Sequence, residues 1–185
     1  MSNLVIDAAY PPASLPPGAS GVLGYIGGAA THVWTPAQWK PFASVRQFPC
    51  WVANLKTSPA GQADAACSAA MNLGWAAHMP AGETRVIVCD LETAVDDAWY
   101  DAWQERVASH GFVSVAYGSL STVLGNAAAD NIVADWDGVK AIPAGQTIHG
   151  VQYQANARYA GTEIDWDLFD SWLMNRGGVG PRHGA

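Results

Sequence analysis

The stretch that decides the fold is VIVCDLE, Val86 to Glu92, in which an apolar run ends abruptly in two carboxylates. A continuous apolar run rich in β-branched residues is typical of a strand buried on both faces of a parallel sheet. Side chains two positions apart on a strand point the same way, so we expect Asp90 and Glu92 to share one face. The sequence therefore predicts a buried strand that presents two acids at its carboxyl end.

Further segments along the chain have the same composition, and most of them are near-continuous apolar runs. In chain order, the predicted strands are Leu4–Ala8, Gly21–Ile26, Gln47–Ala53, Arg85–Cys89, Phe112–Tyr117, Asn131–Asp135, Thr147–Gln152 and Glu163–Asp167. Strands of this kind with helices between them are typical of α/β proteins.

The connections predict helices of unequal length. One begins at Thr35-Pro36, with Thr as N-cap and Pro at the first helical position. Others cover Ala60–His78 and about Leu120 to Ala129. The clearest helix follows Glu92, where Thr93 to Asp96 resembles a capping box and Gly111 marks the end. The segment Tyr10–Gly18 contains four prolines and is predicted to be a loop.

The last third of the chain has a different character. The gaps after the sixth and seventh predicted strands contain glycine or proline and predict no crossover helix, so we expect these last strands to be joined antiparallel. The prediction is an α/β, TIM-like barrel of approximately (β/α)5(β)3, with one domain over residues 1–175 and a flexible tail over 176–185. A six-stranded open α/β sheet is the alternative.

Composition and charge restrict the partners. The 185 residues carry a net charge of -7 and form no Lys/Arg cluster, whereas a nucleic-acid backbone or an anionic membrane favours a basic patch. The segment Met1 to Ile6 lacks the features of a signal peptide, and no apolar run is long enough for a membrane helix. We expect a soluble monomer that binds no nucleic acid and inserts into no membrane.

Acidic side chains recur at several strand ends, and a barrel would gather them at one mouth. Besides Asp90 and Glu92, these acids are Asp7, Asp135, Asp137, Asp165 and Asp167. Mutual repulsion there would raise the pKa of at least one carboxyl group, which is what glycoside cleavage needs. The candidates for contact with a substrate are Trp51, Tyr117, Asp135, Trp136, Gln152 and Tyr153.

Metal and cofactor motifs are missing from the sequence. It contains no phosphate-binding loop, no dinucleotide-binding glycine motif and no cysteine or histidine spacing typical of zinc, so we expect no cofactor and no metal. A magnesium site made of carboxylates alone is still compatible with the sequence.

The order of these motifs resembles that of the glycoside hydrolase family 25 lysozymes and of glycoside-hydrolase-like domains from actinobacteria and their phages. The resemblance covers roughly Val86 to Phe169 and rests on three elements: Asp90-Leu91-Glu92 before a helix, the strand ending in Tyr117-Gly118-Ser119, and Gln152-Tyr153 followed by Gly161 and Ile164-Asp165-Trp166-Asp167.

The resemblance implies cleavage of the β-1,4 bond between N-acetylmuramic acid and N-acetylglucosamine in peptidoglycan. It implies that Glu92 is the general acid, that Asp90 assists the substrate, and that Asp7 and Asp165 are a supporting acidic pair. A protein of this kind acts at the cell wall after export or lysis, and a phage-encoded endolysin is one form of it. Two other functions stay open: a non-catalytic carbohydrate-binding or structural module on the same fold, and a metal-dependent phosphodiesterase.

Overall fold

The computed structural model describes residues 3–75, 84–123, 130–142 and 147–179. Within these residues, eight strands form one barrel: β1 (Leu4–Ala8), β2 (Ala19–Gly28), β3 (Arg46–Val52), β4 (Arg85–Asp90), β5 (Phe112–Ser119), β6 (Asn131–Ala134), β7 (Ile148–Tyr159) and β8 (Thr162–Phe169). Each strand pairs with the next one in the chain, and β8 pairs with β1, so the sheet closes. The predicted α/β barrel is confirmed, and the open sheet is excluded.

The direction of one strand differs from the prediction. Strands β1 to β7 are all parallel to their neighbours in the series, and β8 is antiparallel to both β7 and β1. The expected antiparallel joining is therefore correct for β7 and β8 but wrong for β6 and β7. Residues 135–147 separate β6 from β7, and a connection of about a dozen residues can cross over without a helix.

The helices lie in the connections between strands and after the last barrel strand. They are α1 (Pro36–Trp39), α2 (Pro59–Asn72), α3 (Asp97–Ser109), α4 (Leu120–Val123) and α5 (Ser171–Arg176). Helix α2 ends at Asn72, earlier than the predicted end at His78, which lies outside the described part. The predicted helix from Leu120 to Ala129 is described only as far as Val123, the end of α4. No helix of the described residues is both long and apolar enough to cross a membrane.

The start of α3 corrects the predicted capping box. The N-cap is Asp96, whose Oδ1 accepts a hydrogen bond from the backbone N–H of Trp99 at 2.7 Å. The cap therefore lies three residues beyond Thr93, because the chain first leaves the barrel through an irregular segment after Glu92. At the other end, Gly111 adopts a left-handed φ of 82°, as predicted for a residue that ends a helix.

Two buried layers result from the alternation of side chains along the strands. One layer lies between the sheet and the helices and includes Trp103 of α3 and Ala66 of α2. The other fills the barrel interior with residues such as Val5, Val88 and Val115. Further inward-facing residues follow these apolar ones along the parallel strands. They lie at the carboxyl ends of those strands, and this end of the barrel is the mouth.

The opposite end of the barrel, the floor, is covered by α5. Leu173 of α5 is fully buried and packs with the interior residues. After it, Gly178–Val179 form a short strand, β9, which pairs antiparallel with Arg46 and Gln47 of β3. Ordered structure thus continues past residue 176, where the sequence predicts a flexible tail, because backbone pairing with β3 holds these residues. Residues 180–185 lie outside the described part.

Candidate active site

Four aspartates occupy inward positions at the mouth. Asp7 follows Val5 by two residues on β1, and Asp90 follows Val88 by two residues on β4, so both carboxyl groups extend the interior rows. Asp165 and Asp167 lie on the same face of β8, which runs from the mouth towards the floor, and Asp165 is the nearer of the two to the mouth. In the pairing of β1 with β8, Asp7 is directly opposite Asp165, so the barrel brings acids from the two ends of the chain together.

Asp7 and Asp167 are the most deeply buried of these acids, with exposures of 3% and 0%. Oδ2 of Asp7 accepts a hydrogen bond from the hydroxyl of Tyr117 at 3.3 Å. Oδ1 of Asp7 and both carboxyl oxygens of Asp167 are buried without a hydrogen-bond partner among the described residues. Burial raises the pKa of both carboxyl groups well above the usual range, and repulsion by Asp165 raises it further.

Asp90 and Glu92 differ in their access to solvent. Asp90 is 7% exposed, whereas Glu92 is exposed. Burial, with the negative charge of Glu92 as the second cause, raises the pKa of Asp90 to about 7. Asp90 in turn raises the pKa of Asp7. Glu92 therefore belongs to the cluster through Asp90, as its solvent-facing member.

Asp165 is held by two donors. Its Oδ2 accepts a hydrogen bond from Nε2 of Gln152 at 3.1 Å, and its Oδ1 accepts one from the backbone N–H of Asn156 at 2.7 Å. Burial still raises the pKa of Asp165, and the charge of Glu163 adds to this, while both hydrogen bonds act in the opposite direction. The orientation of this carboxyl group is fixed on both sides.

The aromatic candidates fall into different places. Tyr117 is buried in the interior, where its hydroxyl bonds to Asp7. Trp136 is 67% exposed in the loop after β6, and its indole N–H donates to Oε1 of Gln152. Tyr153 is half-buried, with the ammonium of Lys140 5.9 Å from its ring centroid. Asp135 is half-buried and donates its backbone N–H to the carbonyl of Gln152 at 3.0 Å.

The structure does not bring Trp51 to the mouth acids. Its indole N–H donates to Oε1 of Gln62 on α2 at 3.2 Å, so the ring lies on the outer side of the sheet. A Cβ added at Gly27 would be 2.3 Å from this ring, which shows how closely Trp51 packs against β2. Because Cys50 points inward, its neighbour Trp51 points outward.

Tyr25 and Cys50 are members of the site that the sequence interpretation missed. The charge of Asp7, followed by burial, raises the pKa of the Tyr25 hydroxyl, whereas burial, followed by the charges of Asp90 and Asp7, raises the pKa of the Cys50 thiol. Tyr25 lies two residues after the inward Leu23, and Cys50 lies two residues after the inward Phe48. Alternation along β2 and β3 was the signal that could have identified them.

The site is suited to acid chemistry on a neutral ligand. The charges that act most strongly on Asp7, Asp90 and Asp167 are those of other carboxyl groups. In the described part of the chain, no three His, Cys, Asp or Glu side chains are placed to hold a metal ion together. Protonated and ionised acids beside an exposed glutamate form an arrangement that can donate a proton and stabilise a positive charge.

Comparison with known proteins shows a shared fold at low identity. No protein-family model and no curated protein matches the chain. Among solved structures, it is similar to an uncharacterised protein of B. stearothermophilus, with 16% identity and a TM-score of 0.71 over 94% of this chain and 99% of that one. It is also similar to the CTP1L endolysin, with 18% identity and a TM-score of 0.65 over 92% of this chain and 67% of that one.

A third similar structure is the modular autolysin LytC from Streptococcus pneumoniae in complex with a synthetic peptidoglycan ligand. The identity is 12% and the TM-score 0.63, over 91% of this chain. The chain spans about half the length of LytC, 46% of it. At these identities, the likeness establishes only the barrel fold, which the chain shares with these three proteins.

Proposed function

We propose that this chain is a glycoside hydrolase that cleaves the β-1,4 bond between N-acetylmuramic acid and N-acetylglucosamine in peptidoglycan, with Glu92 as general acid. The proposal joins the resemblance of the Asp90-Leu91-Glu92 region to family 25 lysozymes with the fold shared with an endolysin and an autolysin. The substrate is a polysaccharide strand, and a monomer with no cofactor suffices for this chemistry.

The observation that carries the proposal is the crowding of acids around one exposed glutamate. Three aspartates of the mouth are buried: Asp7, Asp90 and Asp167. The charges of Asp165 and Asp90 act on Asp7, and those of Asp7 and Asp165 act on Asp167. The charge of the exposed Glu92 acts on Asp90. Burying like charges together destabilises a fold, so such a cluster is typical of a functional site.

The first chemical step needs a proton on the glycosidic oxygen. Burial raises the pKa of Asp90 to about 7, so Asp90 holds a proton up to about that pH, and it lies two residues from Glu92. Because Glu92 is the exposed member, it is the group that can reach the bond and deliver the proton. Asp90 then remains beside the substrate, where its acceptor oxygens can orient an acetamido group.

The second requirement is stabilisation of the positive charge that develops on the sugar ring. Asp165 is oriented by Gln152 and Asn156, and Asp7 lies directly opposite it in the sheet. The ionised form of Asp165, which both of its hydrogen bonds favour, supplies negative charge in a mouth with restricted access to water, where electrostatic stabilisation is strong. We infer retaining chemistry, assisted by the acetamido group of the substrate itself.

The proposed function is tested by the release of reducing ends from purified peptidoglycan. The parent protein is expected to release them, and Glu92→Gln is expected to lower the rate at least about a hundredfold, because the general acid is lost. Glu105→Gln makes the same chemical change on the exposed side of α3 and serves as the matched control, with an unchanged rate. Thermal unfolding of each variant verifies that the fold is retained.

A second candidate is a non-catalytic carbohydrate-binding module, which the exposed ring of Trp136 favours because stacking on a sugar requires no acid. Retention of the protein on peptidoglycan, with no reducing ends released by the parent over long incubation, would support this candidate instead. An unchanged rate in Glu92→Gln would contradict the role of Glu92.

A further inference from the structure

Trp136 combines high exposure with a fixed position. Two-thirds of the residue is open to solvent, at 67%. Its loop is nevertheless clamped to β7 on both sides of the ring: Asp135 donates its backbone N–H to the carbonyl of Gln152 at 3.0 Å, and Gly138 donates to that of Tyr153 at 3.1 Å. An exposed aromatic ring that is held in place is preorganised to stack on a ligand.

The turn after Trp136 adds to this rigidity. Gly138 adopts a left-handed φ of 78°, and the side chain of Asp137 accepts a hydrogen bond from the backbone N–H of Val139 at 2.7 Å. An Asp side chain that bonds to the backbone two residues ahead stabilises a tight turn. The loop that presents Trp136 is therefore defined by its own hydrogen bonds as well as by its contacts with β7.

Gln152 connects this exposed ring with an acid of the mouth. It is 2% exposed, and both ends of its carboxamide are used: Oε1 accepts from the indole N–H of Trp136, and Nε2 donates to Oδ2 of Asp165 at 3.1 Å. The other oxygen of Asp165 is held by the backbone N–H of Asn156, which has a left-handed φ of 57° in an irregular part of β7. Of the two groups that donate to Asp165, only the one from Gln152 is a side chain, so it is the contact that a substitution can remove.

We propose that Trp136 is a positioning residue for Asp165: the fixed indole holds the carboxamide of Gln152, and the Trp136–Gln152–Asp165 hydrogen-bond chain thereby sets the orientation of the carboxyl group relative to a sugar ring stacked on the indole. This inference rests on the proposed glycoside cleavage and adds a role to a residue expected only to contact the sugar. Precise placement of a charged group near the reacting bond raises the rate, whereas stacking by itself contributes binding.

The two roles of Trp136 can be separated by substitution. Trp136→Phe keeps an aromatic face but removes the N–H, so KM is expected to stay within about twofold while kcat falls about tenfold, the effect of losing one hydrogen bond. Trp136→Ala removes both contributions and is expected to raise KM as well. Tyr10→Phe removes a polar group from another exposed aromatic residue, at 58% exposure, and is the matched control with both constants unchanged.

Substitution of Gln152 tests the chain at its centre. Gln152→Leu is expected to reproduce the loss of kcat, and adding Trp136→Phe to it should cause no further loss, because both changes break the same chain. Gln152→Glu can accept from Trp136 but donates to Asp165 only when protonated. Its activity relative to the parent is therefore expected to recover as the pH falls, which a role in packing alone would not produce.

A measurement that needs no activity completes the test. The Gln152 hydrogen bond lowers the pKa of Asp165, so in carbon-13 NMR titrations Gln152→Leu is expected to raise that pKa, and Trp136→Phe to raise it by less. An unchanged kcat together with an unchanged Asp165 titration in Trp136→Phe would overturn the proposal. If the parent cleaves nothing but Trp136→Phe still shifts the titration of Asp165, glycoside cleavage is refuted, while the link from Trp136 through Gln152 to Asp165 is supported.

Discussion

Aspartates at the floor of the barrel are paired with a cation-forming side chain, whereas those at the mouth face one another. At the floor, His149 lies between two carboxyl groups, with Nε2 3.0 Å from Oδ1 of Asp130 and Nδ1 2.8 Å from Oδ2 of Asp170. Its ring stacks on Trp172 at a centroid distance of 4.0 Å, and the guanidinium of Arg176 lies over the same indole. At the mouth, Asp167 is fully buried with neither oxygen bonded among the described residues.

The difference separates stability from function within one sheet. The floor arrangement ties the region before β6, the start of β7 and α5 together through the two contacts of the His149 ring with carboxyl groups and through stacked rings. The mouth concentrates like charges in a buried place, which weakens the fold and is retained where chemistry requires it. Barrels commonly divide these roles between their two ends.

The largest expected effect concerns Asp90 at the mouth. Its pKa of about 7 in the fold exceeds the value of about 3.9 for an unfolded chain, so the folded state binds more protons, and stability falls as the pH rises through this window. Asp90→Asn removes this effect and is expected to raise the free energy of unfolding at pH 8 by on the order of 4 kcal/mol. Urea denaturation at pH 4 and at pH 8 measures the difference.

The control for Asp90→Asn is Asp101→Asn, which makes the same change at an exposed position of α3 and is expected to leave the stability within about 0.5 kcal/mol of the parent at both pH values. Two results would contradict this account: a parent whose stability does not fall between pH 4 and pH 8, or an Asp90→Asn protein that is less stable than the parent at pH 8. Either would show that ionisation of Asp90 does not destabilise the fold.

The next effect concerns the floor and has the opposite sign. His149→Ala leaves Asp130 and Asp170 without their shared partner and removes the stacking on Trp172, so the free energy of unfolding is expected to fall by about 2 to 3 kcal/mol. The rate of peptidoglycan cleavage should stay the same. His110→Ala is the comparison: its partner Asp64 also binds Arg106, so a smaller loss of stability is expected.

The smallest effect shows that an aspartate near the mouth can serve stability alone. Asp96→Ala removes the N-cap of α3 and is expected to cost about 1 kcal/mol, while Thr93→Ala is expected to cost little. Denaturation of the two variants side by side measures this difference. Equal losses would mean that Thr93 takes part in the cap, as the sequence pattern suggests.

Prediction from sequence succeeded where one physical signal dominated. Most barrel strands were identified because a strand covered on both faces is apolar along most of its length, as in Val86 to Cys89. The direction of β7 was missed because the sequence of residues 135–147 has no periodic pattern that would predict a crossover. The helix start was misplaced because Thr93 and Asp96 are both good capping residues, and only the path of the chain selects between them.

The site was harder to predict, because it depends on which side of a strand a residue occupies. The pairing of Asp7 with Asp165 follows from closure of the barrel, which no local pattern encodes. Trp51 was selected for its place near a strand end although its direction is outward, and Tyr25 was missed because its glycine-rich surroundings matched no motif. Gln152 was expected to contact substrate, whereas its carboxamide bonds to Trp136 and Asp165.

Mass spectrometry of the fragments released from purified peptidoglycan tests the central claim most directly, since it identifies both the bond that is cut and the dependence on the acid. The expected result is soluble glycan fragments that end in reducing N-acetylmuramic acid, formed by the parent and by Glu105→Gln but not by Glu92→Gln. Fragments that end in reducing N-acetylglucosamine, or intact glycan strands after incubation with the parent, would contradict the assignment of this mouth as a muramidase site.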